Sequence, residues 1–144
     1  MDPYVRAFIR AALLWLCLGV TLGVAMTFSG FALAARPAHM HANLLGFVSM
    51  MIFGVAYHVL PRFSGSPLHS PRAAAVHVWL ANLGLALLVG GWIARIWLAG
   101  AMLAVQAGGL LSATGAFLFA WNLWRTLGAT RPRGAPVPPT GRRP

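Results

Sequence analysis

The histidines are the residues of this chain best suited to chemistry. The chain has five of them, against one acidic residue and one cysteine. His39, His41 and His58 interrupt an otherwise apolar stretch, and an ionisable side chain in such a stretch indicates a functional site. A neutral imidazole there is a candidate ligand for heme iron or copper. Hydrolytic zinc chemistry is disfavoured, because no carboxylate lies within the apolar stretches to act as general base.

The spacing of the histidines restricts which of them can share one metal. His39 and His41 are two residues apart, so in a regular helix their side chains point about 200° away from each other. Only an unwound helix start after Pro37 would let both reach the same metal. The single Cys17 excludes an intrachain disulfide, and the sequence has neither a CxxC nor a CxxCH motif, which excludes covalent heme attachment of the c type.

The composition shows what kind of element must position these side chains. Of 144 residues, 59% are hydrophobic and only 8% are charged, and the mean hydropathy is +0.74. A soluble domain has about a quarter of its residues charged, so the chain is an integral membrane protein. At about 20 residues per span the length accommodates four transmembrane helices. The net charge of +10 does not indicate nucleic-acid binding, because the eleven basic residues are all arginines that flank apolar stretches.

The sequence predicts an all-α bundle of four transmembrane helices over residues 11–127. The predicted spans are 11–35, 38–60, 73–94 and 96–124, after a polar lead at residues 1–10. Arg36 and Pro37 mark the first break, and the segment 61–72, rich in proline and serine, is a predicted loop. The segment 128–144 is rich in arginine and proline and is predicted to be disordered.

The arginines predict the orientation of the bundle. Nine of the eleven fall on one side of the four spans, and only Arg36 and Arg95 fall on the other. By the positive-inside rule both termini are then cytoplasmic. His39 and His41 lie at the outer end of the second span, whereas His58, His69 and His77 lie on the cytoplasmic side.

Small residues predict where the helices approach closely. Gly19 and Gly23 have GxxxG spacing in the first span, and Gly108 and Ser112 are four residues apart in the fourth span, with Gly115 nearby. Small side chains at this spacing let membrane helices pack at short distance.

A resemblance to a known family covers about residues 39–85. The stretch HANLLGFVSMMIFGVAYHVLP, residues 41–61, resembles the second transmembrane helix of the nitric oxide reductase large subunit and of the wider heme-copper oxidase superfamily. In that family the histidine matching His41 is an axial ligand of the low-spin heme and is followed by Asn-Leu-Leu, here Asn43 to Leu45. The segment that follows resembles the family's next loop and helix, with Gly65, Pro71-Arg72 and Trp79-Leu80.

The resemblance implies a membrane protein that binds heme b non-covalently through His41 and serves as an electron-transfer or heme-holding module. The family's other heme, copper and iron ligands come from later helices, so an enzyme acting alone is disfavoured. The resemblance also implies a bacterial or archaeal inner membrane, contact with membrane lipids and a respiratory-chain partner, with quinol as a further candidate. The pair His39 and His41 resembles a histidine doublet on a late helix of the family, which is the second-ranked alignment.

The sixth ligand of such a heme stays open at this point. The candidates are His39, Met26, Met102, and His41 of a second protomer in a symmetric homodimer. His58 and His77 share one leaflet and are candidates for a second heme site. The simpler interpretation of these two residues, and of His69, is an interfacial histidine bonded to a headgroup, water or a backbone carbonyl.

Two alternatives to heme follow from the same residues. A copper-binding membrane protein would use His39, Met40 and His41, because imidazole and thioether are suitable copper ligands. An accessory subunit of a respiratory complex would need no cofactor at all.

Overall fold

The computed structural model describes residues 1–28 and 30–128, and its regular elements are helices. The first span is α1, Pro3–Thr27. The second, Ala32–Phe63, is continuous and consists of α2 (Ala32–His41), a π-helical segment (Ala42–Ser49) and α3 (Met50–Phe63). The third is α4, Pro71–Ala94, and the fourth comprises a short 3₁₀ turn (Ala99–Ala101) and α5 (Met102–Gly128). All four are long and apolar enough to cross a membrane, which confirms the predicted all-α bundle of four transmembrane helices.

The first break in the chain lies elsewhere than predicted. The helices are interrupted between Thr27 and Ala32, and Arg36 and Pro37 lie inside α2. A proline within a helix removes one backbone hydrogen bond but need not end the helix in a membrane, where neighbouring helices compensate. The exposed Arg36 can extend its guanidinium to the membrane surface, so its charge does not require a loop there.

The other boundaries also differ by a few residues. The first helix begins at Pro3 and so includes most of the predicted lead 1–10, since proline suits the first position of a helix. Two of the later helices, α3 and α5, extend beyond the predicted ends 60 and 124, to Phe63 and Gly128. Of the predicted disordered segment 128–144, all but Gly128 lies outside the described residues.

The connection between α3 and α4 is held against α5 by side chains. Gly65 has a φ of +65°, a conformation that favours glycine. The buried Asn122 of α5 accepts a hydrogen bond from the Ser70 backbone N–H and donates one to the Ser70 carbonyl oxygen, both at 2.9 Å. Thr126 accepts another from the His69 backbone N–H at 3.0 Å. The loop therefore fixes the start of α4 relative to the end of α5.

Helices α4 and α5 pack closely through small residues. A Cβ atom on Gly84 would lie 2.7 Å from the backbone nitrogen of Ser112, and one on Gly91 would lie 2.8 Å from the backbone nitrogen of Val105. A Cβ atom on Gly108 would overlap the backbone nitrogen of Leu88. The predicted close contact at Gly108 and Ser112 thus lies on the α4–α5 interface.

A methyl group at Gly108 should destabilise the bundle. In Gly108→Ala the new Cβ would meet backbone atoms, among them the Gly84 carbonyl oxygen at 2.6 Å, and backbone cannot move aside cheaply. We expect a loss of about 1–3 kcal/mol, typical of overpacking, measured as a lower midpoint of thermal unfolding in detergent. Gly109→Ala is the matched control, since a Cβ there meets nothing within 4 Å. Equal effects of the two substitutions would contradict the interface.

Candidate cofactor site

His41 is the last residue of α2, and the π-helical segment begins directly after it. Its ring Nδ1 lies 2.7 Å from the Pro37 carbonyl oxygen. A carbonyl oxygen can only accept, so Nδ1 carries the proton and Nε2 keeps its lone pair. Metal-binding histidines have this arrangement, in which one ring nitrogen donates to a backbone carbonyl and the other faces the metal. π-helical turns also occur frequently at functional sites.

The flank of the second span that carries His41 also contributes to two cavities. Pro37 and Leu45, four residues before and after His41, lie close to the same helix face. Pro37 lines a cavity of about 250 Å³ that also contacts Trp92 and Arg95 at the end of α4. Leu45 lines a smaller cavity of about 40 Å³ between the π-helical segment, α4 and α5. Both volumes fall below the roughly 300–1,000 Å³ usual for cofactor sites. A heme on His41 would therefore need further walls from lipid or another chain.

His39 faces a different neighbour from His41. Its Nδ1 lies 3.0 Å from the Gly19 carbonyl oxygen of α1, and a Cβ on Gly23 would lie 2.7 Å from its Cε1. Asn43 donates to the His39 carbonyl oxygen at 2.9 Å and occupies the space beside Gly19. The two glycines with GxxxG spacing thus accommodate polar side chains of the second span.

The unwound start that would bring His39 and His41 to one metal is not observed. Residues 32–41 are helical, which separates the two imidazoles by the expected rotation. Met40 between them is 46% exposed on the lipid-facing side. The structure does not bring His39, Met40 and His41 together as a copper site.

The two candidate methionines lie in terminal turns of their helices. Met26 is in the last turn of α1, seven residues beyond Gly19, and therefore about 10 Å further along the axis than the His39 contact. Met102 is the first residue of α5 and is 38% exposed. Met26 is therefore not level with the His39–Gly19 contact.

The other three histidines have three different environments. The guanidinium of Arg62 donates to Nδ1 of His58 at 3.0 Å. His69 packs edge-on against Trp121, with ring centroids 5.2 Å apart. His77 is completely buried in the bundle. The predicted pair His58 and His77 does not meet, because His77 contacts Tyr57, which points about 100° away from its neighbour His58.

All four spans contribute to the surroundings of His77. Its ring centroid lies 4.7 Å from that of Phe8 in α1, 4.6 Å from that of Phe53 in α3 and 5.7 Å from that of Phe119 in α5. The Tyr57 hydroxyl lies 3.2 Å from Nδ1, whereas the buried Nε2 has no hydrogen-bond partner. The described rings leave no open side for a heme at this imidazole.

The central position of His77 was not predicted from the sequence. One signal was available, because His77 shares a helix face with the small residues Ala74, Ala81 and Gly84, which are all buried. A histidine on the small-residue face of a membrane helix is expected to point into the bundle. Within residues 1–28 and 30–128, no group of three or more His, Cys, Asp or Glu side chains is arranged to hold a metal ion.

Comparison with known proteins identifies relatives among respiratory oxidases, although no protein-family model matches the chain. The chain is 27% identical to the Cbb3-type cytochrome c oxidase subunit CcoN1 of Stutzerimonas stutzeri, over 65% of this chain and 25% of that protein. It is 28% identical to cytochrome c oxidase subunit 1 of Rhodobacter capsulatus, over 67% and 23% of the two chains. A cytochrome c oxidase subunit 1 homolog of Agrobacterium tumefaciens gives the same three percentages.

These matches confirm the predicted resemblance to the heme-copper oxidase superfamily, and the chain is a multi-pass membrane protein that is similar over part of its length to oxidase subunit 1. The chain spans about a quarter of the length of the curated relatives it matches.

Removing the Tyr57 hydroxyl should leave His77 without its hydrogen-bond partner. We expect Tyr57→Phe to cost about 1–3 kcal/mol of stability, the usual penalty for an orphaned buried polar group. The double variant Tyr57→Phe/His77→Leu should recover part of that loss, because both polar partners are then absent. Thermal unfolding in detergent measures both effects. Tyr4→Phe, which changes the chain's other tyrosine, is the control. A loss no larger than that of the control would contradict the pairing.

Proposed function

We propose that this chain binds heme b in the membrane through His41 and acts as an electron-transfer or heme-holding module. The observation that carries the proposal is the His41 ring geometry, with Nδ1 bonded to the Pro37 carbonyl oxygen and Nε2 left with its lone pair. The similarity to oxidase subunit 1 supports it, since His41 matches the low-spin heme ligand in the resemblance described above. Bound heme would supply one-electron redox chemistry at this position.

The chain's own residues orient the ligand. The 2.7 Å bond to Pro37 holds the imidazole against its own helix, which limits rotation of the ring. On the opposite flank, His39 bonds to the Gly19 carbonyl oxygen of α1, and Asn43 bonds to His39 and packs against Gly19, which fixes the rotation of the second span. The His41 flank is thereby held toward α4 and the surrounding bilayer.

We further propose that a second copy supplies the sixth ligand. The His39 imidazole faces α1 and points about 200° away from that of His41 on the same helix, and Met26 and Met102 lie in the terminal turns of α1 and α5. The two cavities on the flank of the second span that carries His41 are not lined by His41 itself, and both are too small to enclose a heme within one chain. An isologous dimer would present His41 twice and would supply the missing wall.

The setting we propose is a bacterial or archaeal inner membrane with both termini in the cytoplasm and a respiratory-chain partner. The oxidase activity named for the relatives is not part of the proposal, because the chain aligns with only about a quarter of their length. Quinol is a candidate electron donor that this arrangement leaves open.

Replacing the ligand should abolish heme binding without unfolding the bundle. We expect His41→Ala to lower the heme content per chain by at least about tenfold, because even the loss of a group that hydrogen-bonds to a metal ligand weakens metal binding about 10–100-fold. A pyridine hemochrome assay and a reduced-minus-oxidised spectrum of purified protein measure this. His58→Ala is the matched control, because it removes a histidine of the same span that bonds Arg62.

Colourless wild-type protein, or an unchanged spectrum in His41→Ala, would contradict the proposal. Copper without heme would favour the copper alternative, and neither cofactor would favour the accessory subunit.

A dimer that shares one heme predicts a specific heme stoichiometry, mass and spectrum. We expect one heme per two chains, a dimeric mass in detergent by light scattering, and a spectrum of bis-histidine ligation. The mass should fall to that of a monomer when heme is lost in His41→Ala, if heme bridges the two copies. One heme per monomer with thioether ligation would contradict the dimer while leaving His41 as a ligand.

A further inference from the structure

An amphipathic groove lies at the inner end of the bundle, remote from His41. It has a volume of about 550 Å³ and runs between the first turns of α1 and α4. Its walls are Asp2, Pro3, Tyr4 and Ala7 from α1, and Pro71, Ala75, Val78 and Trp79 from α4. Polar groups are confined to the beginning of the groove, and the deeper wall is apolar.

The depth of the groove matches the upper part of an acyl chain. Trp79 lies eight residues after Pro71, which is about 12 Å further along the helix axis. Its side chain is 77% exposed, so it forms an open apolar wall. A ligand that fills this groove must therefore have an apolar body below a polar head.

The polar mouth contains the only carboxylate of the chain. Asp2 stands at the N-cap position of α1, yet its side chain makes no capping hydrogen bond. The neighbouring Tyr4 hydroxyl interacts with this carboxylate. A half-buried carboxylate beside an apolar groove is suited to a ligand that carries an ammonium group.

Two exposed arginines are not lining residues of the groove, but helical spacing places both next to its mouth. Arg6 lies four residues after Asp2, on the same face of α1. Arg72 lies three residues before Ala75 and seven before Trp79, so it shares their face of α4. Guanidinium groups bind phosphate through paired hydrogen bonds. The mouth thus offers one acceptor for a cation and two donors for an anion.

We propose that this groove binds a phospholipid whose head group carries a primary ammonium, of the phosphatidylethanolamine type. The ammonium lies at Asp2, the phosphate lies between Arg6 and Arg72, and one acyl chain follows the apolar wall to Trp79. Recognition rests on an ammonium group that donates hydrogen bonds to the Asp2 carboxylate, which a purely anionic head group would meet unfavourably.

Native mass spectrometry of the full chain in detergent tests this with three lipids of equal acyl composition. Phosphatidylethanolamine should be retained more strongly than phosphatidylcholine, which has no N–H donors, and than phosphatidylglycerol, which has no cation. We expect Asp2→Asn to lower retention of phosphatidylethanolamine about threefold, the scale of one partly exposed ion pair. Retention of phosphatidylglycerol should not fall.

A pair of tryptophan variants distinguishes lipid bound in this groove from lipid that coats the rest of the transmembrane surface. Trp79→Ala should lower retention of phosphatidylethanolamine, whereas Trp124→Ala, an 82% exposed tryptophan outside the groove, should not. Equal retention of the three lipids by the wild type, unchanged retention in Asp2→Asn, or equal losses in the two tryptophan variants would overturn the proposal. The lipid site is independent of heme binding, so the heme content of the variants does not bear on it.

Discussion

The bilayer interior has no water to satisfy a polar group, and the arrangement of this bundle follows from that constraint. His39 bonds to the carbonyl oxygen of Gly19, and Asn122 bonds to both backbone groups of Ser70. The first contact joins two spans, and the second joins α5 to the loop before α4, so together they fix the rotation of the helices and their positions along the bundle axis. His41 is satisfied by its own helix instead. Its imidazole is therefore not held against another span.

The two halves of the bundle use their histidines differently. In one half the His39 imidazole bonds to α1 and the His41 imidazole bonds to its own helix. In the other half His77 of α4 is enclosed by rings from the other three spans, and the loop before α4 is bonded to α5. The similarity to oxidase subunit 1 concerns a part of those proteins of about this size.

The number of spans and the family resemblance were predictable, because apolar length and the sequence around His41 are local properties. The first break was misplaced because Arg36 and Pro37 resemble a boundary, whereas an arginine can reach the membrane surface from within a helix. The opposite directions of the His39 and His41 side chains follow from helical geometry, because α2 continues through Pro37 to His41. The environment of His77 depends on which faces of four helices meet, and spacing along one helix does not determine that.

The π-helical segment determines how the two ends of the second span are oriented. Buried residues recur every four positions from Ala38 through Ala42, Gly46 and Met50, a spacing that would drift around a regular α-helix by about 40° per step. The wider π turns, which hold one more residue each, compensate for this drift. Deleting one residue between 42 and 49 would let a π turn relax to an α turn. The alignment of the buried residues at the two ends of the second span thus depends on the number of residues in this segment, separately from the identity of any side chain that His41 touches.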